Sequence, residues 1–104
     1  MAAKQPRKTN TQASKTRSGP PSALLSAVGK RIREVRQAKG FSQDKLAYSI
    51  PLDRAHIGMI ENGKRAATIP TLVKIALALQ CEVGEFFPPT RELALLANVE
   101  GTGA

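Results

Sequence analysis

From Ser22 onward the apolar residues recur at steps of three and four, the spacing of one face of a helix. Leu25, Val28, Ile32 and Val35 form the first such stripe. Ser22, following Pro20-Pro21, is placed to cap its start, and Gly40 to end it in the left-handed conformation. A short second helix follows. Ser42 is its natural N-cap, Asp44 suits the positive end of its dipole, and Leu46, Ala47 and Ile50 point inward. Phe41 and Leu46 occupy the two positions of a hydrophobic staple, and Pro51 drives Ile50 out of the α region and stops the helix. The third helix repeats this grammar, with Asp53 as cap, Leu52 and Ile57 as staple, Ile57 and Ile60 inward, and Gly63 as stop. A fourth begins at Thr68, tolerates Pro70 in its first turn and carries Leu72, Ile75, Ala76 and Leu79 on one face. Val83, Phe86 and Phe87 mark a fifth, short turn closed by Pro88-Pro89. Thr90 is placed to cap a last helix with Leu93, Leu95, Leu96 and Val99. No alternating apolar run of useful length occurs, so the pattern predicts an all-α fold.

Two short helices joined by about four residues, Ile50 to Asp53, with inward apolar positions on both, make a helix-turn-helix candidate. The second of the pair leaves Arg54, Ala55, Gly58, Met59 and Asn62 off its apolar stripe, on one outward face. A helix of this kind that enters a major groove brings its N-terminal residues to base edges, while the preceding helix lies across the backbone.

Charge strengthens that reading. The 104 residues carry 16 Lys/Arg against 8 Asp/Glu, a formal charge of +8 and a pI near 10.3, which favours a polyanionic partner. Residues 1–21 hold Lys4, Arg7, Lys8, Lys15 and Arg17 and no acid; residues 22–65 are again +5; residues 66–104 are −2. The positive field therefore belongs to the first two-thirds, leaving the last third for another task. Residues 1–21 lack large apolar side chains other than Met1 and read as a disordered basic arm. That arm is either a solubilising tail or a segment that follows a nucleic-acid backbone or groove; a transit peptide fits less well, for want of an amphipathic face.

A chain this short hides roughly 60–65% of its unfolded surface in one core, so a deep substrate cavity is not expected. No run approaches the roughly 18 apolar residues of a membrane span, and the first residues lack the apolar stretch of a secretory signal. One cysteine and one histidine cannot write an intrachain disulfide or a multi-ligand zinc cluster. No paired acid–base residues, phosphate-cradling glycine loop or nucleophile–base set can be assembled, which argues against an enzyme and against a cofactor or metal. The expected location is the cytoplasm, at the nucleoid.

Several strings occur in a specific order: Gly40-Phe41-Ser42-Gln43 with Leu46-Ala47, then Ile57-Gly58-Met59-Ile60-Glu61-Asn62-Gly63-Lys64-Arg65. After these come Leu72-Val73-Lys74-Ile75-Ala76 with Leu79, and finally Phe86-Phe87. In that order and spacing the chain resembles the Cro/repressor-type (Xre) helix-turn-helix family of bacterial and phage DNA-binding regulators. The resemblance implies a lambda-repressor-like five-helix bundle, here followed by a sixth, C-terminal helix. Residues 22–88 would form the DNA-binding domain, and residues 89–104 a C-terminal helix and tail. It implies a repressor that binds a near-palindromic operator in double-stranded DNA as a homodimer. Arg54, Ala55, Gly58 and Met59 match the positions that face bases. Gln43 matches a glutamine that bonds a phosphate and braces the recognition helix. Asn62, Lys64 and Arg65 match backbone contacts just beyond that helix, and Arg36 and Glu61 match a buried, structural ion pair. Dimer contacts are expected from Phe86, Phe87, Leu93 and Leu96; the alternative for the Leu93–Val99 stripe is that it caps its own core.

Departures from the family pattern bear on the site. Pro51 stands where the family usually has glycine, which implies a different turn geometry. Gly58 lies inside the recognition helix, either for close approach to DNA or merely tolerated. Ala55 and Met59 offer no hydrogen-bonding code, so base readout falls to Arg54, whose alternative role is a phosphate contact. His56, Tyr48 and Asp44 read as surface residues, and Cys81 as a buried, inert thiol. Two rivals remain at this point: an antitoxin, with a toxin as partner, or restriction–modification controller using the same domain, and a protein-interaction adaptor that no longer binds DNA.

Overall fold

The computed structural model describes residues 22–98, so the basic arm of residues 1–21 and Val99 lie outside the described residues. Five α-helices and one 3₁₀ turn make up its regular structure, with no strand among the described residues. They are α1 (Ser22–Ala38), α2 (Gln43–Ser49), α3 (Arg54–Glu61), α4 (Ile69–Leu79), a 3₁₀ turn (Val83–Phe86) and α5 (Thr90–Leu96). The 3₁₀ turn takes the fifth place in the bundle and α5 the sixth.

The ends of these elements follow from local chemistry. The Ser42 hydroxyl accepts from the Lys45 N–H at 3.0 Å and the Thr68 hydroxyl from the Thr71 N–H at 3.3 Å, each satisfying a donor that the first turn leaves free. Gly63, at φ +75°, closes α3 with its own N–H on the Ile60 carbonyl and the Lys64 N–H on that of Met59. Three expected caps differ. Ser22 is the first helical residue of α1, and Thr90 the first of α5, whose N-cap is Pro89. Asp53 holds the N-cap position of α3 but its side chain makes no capping bond. Pro51 sits at φ +24°, far from the roughly −65° its ring prefers, in a turn that glycine would enter without strain.

The core gathers Ile32 and Val35 of α1, Leu46 and Ala47 of α2 with Ile50, and Ile57 and Ile60 of α3; Leu72, Ile75, Ala76 and Leu79 of α4 and Phe86 complete it. α1 packs against α3, the 3₁₀ turn and α5, while α2 packs against α3 and α4. α1 and α3 approach so closely that a Cβ on Gly29 would overlap the carbonyl oxygens of Ile60 and Glu61. That contact fixes the C-terminal end of α3 from behind and leaves its outer face free.

Candidate nucleic-acid interface

The inward positions Ile57, Ile60 and Glu61 are buried, so α3 turns Arg54, Ala55 and Met59 to solvent, with Gly58 half-buried beside α2. A Cβ on Gly58 would lie 3.9 Å from both amide heteroatoms of Gln43, an ordinary contact, so nothing among the described residues requires glycine there. His56 is half-buried, and Lys64 and Arg65 are exposed just past the Gly63 turn. Neither of those two cations is in an ion pair among the described residues.

A carboxylate stands at each end of α3. At the C-terminal end the Glu61 carboxylate has no exposed surface. Arg36 Nε donates to its Oε2 at 2.6 Å, and Arg36 Nη2 and Gln43 Nε2 donate to its Oε1, each at 2.9 Å. Arg33 Nε reaches the same Oε1 at 3.5 Å. Arg36 spends Nη1 on the Phe41 carbonyl at 2.8 Å, and Arg33 Nη2 donates to Asn62 Oδ1 at 2.6 Å. Burial alone would push the Glu61 carboxyl up, but bonds and charge from Arg36, with bonds from Gln43 and Arg33, outweigh it and hold it below its ordinary value.

This hub decides what its members have left to offer. Gln43 commits one amide N–H to Glu61, which braces α2 on α3 and leaves its second N–H for an external acceptor. Asn62 has its carbonyl oxygen fixed by Arg33, leaving its amide nitrogen to donate outward. Arg33 was not among the residues the sequence singled out; its position three residues before Arg36, on nearly the same side of α1, is the signal that could have found it.

At the N-terminal end Arg54 Nε lies 3.1 Å from Asp44 Oδ1, an ion pair with both side chains largely in solvent. Asp44 is on the surface and stands against Arg54, the residue from which base readout is expected.

The surface expected to meet a second chain needs one correction. Phe86 is fully buried at the centre of the core and offers nothing to a partner. Phe87, Leu93 and Leu96 are half-buried and Leu95 is 76% exposed. Phe87 and Leu93, with Leu24, Leu25 and Val28, line an open apolar cleft of about 450 Å³ between α1 and α5, a groove that the short chain did not lead us to expect. Cys81 is half-buried rather than buried, and burial together with the neighbouring Glu85 pushes its thiol up.

A family model described as helix-turn-helix (HTH_3) matches residues 32–86. The control protein C.MunI of Mycoplasma sp is 37% identical over 60 residues, covering 57% of this chain and 81% of its own. The HTH-type transcriptional regulator SutR of Escherichia coli (strain K12) is 33% identical over 66 residues, covering 64% of this chain, which spans only 37% of that regulator's length. Among solved structures, the restriction-modification controller protein C.AhdI from Aeromonas hydrophila superposes with a TM-score of 0.61 at 43% identity, covering 62% of this chain and 98% of that one.

Proposed function

The chain belongs to the helix-turn-helix family of DNA-binding transcriptional regulators, and from that premise we propose that it is a sequence-specific repressor acting as a homodimer on a near-palindromic operator. The observation that carries the proposal is the outward face of α3: Arg54, Ala55 and Met59 in solvent, and Lys64 and Arg65 exposed where the helix ends. Arg54, Ala55, Gly58 and Met59 meet base edges. Gln43, Asn62, Lys64 and Arg65 grip phosphates, and Arg36 with Glu61 fixes the angle at which α3 is presented. The dimer forms through α5 and Phe87, where the exposed Leu95 and the apolar cleft leave surface to cover. Two-fold symmetry then sets the recognition helices about 34–36 Å apart, in successive major grooves. The protein works in the cytoplasm, at the nucleoid.

Selection of bound sites from random duplexes tests this. The expected result is two inverted half-sites one helical turn apart, with affinity falling steeply with salt at a log–log slope of about 0.9 per neutralised phosphate. Failure to retain any duplex at low ionic strength would overturn it.

A second reading is favoured by the extent of likeness to control proteins, since the chain spans nearly all of C.AhdI and four-fifths of C.MunI. On that reading the repressor is a restriction–modification controller. It predicts that the selected operator lies upstream of the protein's own gene, beside a restriction endonuclease gene.

A further inference from the structure

We infer that the cleft between α1 and α5 is an effector site for an apolar carboxylate, whose head group draws Arg65 away from DNA, the last step resting on the DNA-binding reading above.

At about 450 Å³ the cleft falls within the roughly 300–1,000 Å³ of small-molecule sites. Arg65 is the one charged residue in its lining and Thr90 the one hydroxyl; the rest are apolar or glycine. A ligand with an apolar body and a single polar end matches that distribution, since burial holds the body and the end has one strong partner. The sign of that end follows from Arg65. It is exposed, in no ion pair among the described residues, and no acid shares the lining with it. An arginine lays its apolar stem along such a wall and keeps its guanidinium in water, where a carboxylate takes two parallel hydrogen bonds from it. A second chain has Leu95 to cover, 76% exposed. Helical spacing sets Leu95 on the side of α5 opposite Thr90, Leu93, Ala94 and Ala97, which line the cleft.

The position of the cleft couples it to recognition. Ile60, on the inner face of α3, and Arg65, Ala66 and Ala67, in the segment after it, all line the cleft. The site therefore lies behind the helix whose outer face meets DNA. A guanidinium held by a carboxylate is lost to the phosphate backbone, which weakens every duplex alike and leaves base preference intact.

Calorimetry on the full chain with alkanoates from hexanoate to decanoate, below their aggregation concentrations, measures the binding. Affinity should rise by up to about fourfold per added methylene, with decanol weaker than decanoate and decyltrimethylammonium silent. Arg65→Ala should weaken decanoate by about two- to fivefold and leave decanol unchanged. Ala94→Phe, which fills the cleft, should abolish binding of both; Ala97→Leu takes its place if thermal melts show Ala94→Phe unfolded. In duplex binding, saturating decanoate should lower the log–log salt slope by about 0.9 per protomer and leave the selected sequence unchanged. Arg65→Ala should show that lower slope without ligand and no response to decanoate. The site is overturned if no alkanoate binds, if a folded cleft-filling variant binds decanoate as wild type does, or if Arg65→Ala binds it equally well. Absence of alkanoate binding together with loss of self-association in Ala94→Phe would give the cleft to a second chain. An unchanged salt slope under saturating decanoate overturns the regulatory step. Decanoate bound as expected by a protein that retains no duplex is a failure of the DNA-binding reading and not of the site.

Discussion

At the C-terminal end of α3, Arg36 and Glu61 meet at 2.6 Å with 8% and none of their side chains exposed; at the N-terminal end, Arg54 and Asp44 meet at 3.1 Å, largely in solvent. The chemistry of the two pairs is the same and their surroundings are opposite. Buried charges must be fully bonded or they are heavily penalised, and Glu61 accordingly collects Arg36, Gln43 and Arg33 at its two oxygens. Exposed charges already have water, so Asp44 can release or redirect Arg54 at little cost. One end of the helix is thus anchored and the other is available for recognition. Solvent access, and not the identity of the ion pair, decides whether an arginine holds the fold.

The largest test of that contrast is Glu61→Ala. It leaves Arg36 buried without a counter-charge and should cost about 3–5 kcal/mol, read as a lowered urea midpoint. Replacing both partners by apolar residues, Arg36→Met with Glu61→Leu, should cost less than either single change. If the single substitution costs under about 1 kcal/mol, as an exposed pair would, the contrast between the two ends fails. Next comes Gly29→Ala, whose methyl would meet the backbone of α3 and should destabilise by about 1–3 kcal/mol through overpacking.

Acid titration sharpens the same comparison. Because Glu61 is held below its ordinary value in the folded chain, its contribution is fully present above the unfolded carboxylate pKa of about 4.3 and is lost as pH falls through the lowered folded value. Urea midpoints measured across that range should drop more steeply for wild type than for Glu61→Gln. Gly58→Ala should raise stability by up to about 1 kcal/mol, since helix propensity improves and the new methyl has room. If operator affinity falls while stability rises, the glycine serves close approach to DNA; unchanged affinity makes it merely tolerated. The smallest effect belongs to Asp44→Ala, which should move the unfolding free energy by no more than about 1 kcal/mol.

Residue spacing and local chemistry along the chain were enough to set the helices, most of their stops and which faces turn inward. A cap such as Ser42 acts three residues away, a stop such as Gly63 acts on its own turn, and the stripe Leu72–Ile75–Ala76–Leu79 is set by helical spacing; each is a short-range effect, legible wherever neighbours in the chain are neighbours in space. The expected caps that failed, Ser22, Asp53 and Thr90, lie at helix starts, where a shift of one residue changes the bonded partner. Among the candidate site residues, the exposure of Arg54, Ala55, Met59, Lys64 and Arg65 was readable as the complement of an apolar face. Packing alone settled that Gln43 and Arg33 converge on Glu61, that Gly29 admits the α3 backbone, that Phe86 is core and not contact surface, and that Arg54 Nε lies beside Asp44. Those contacts join residues from 10 to more than 40 positions apart. Their geometry depends on the distance and rotation at which packed helices settle, and that is set by the whole core at once.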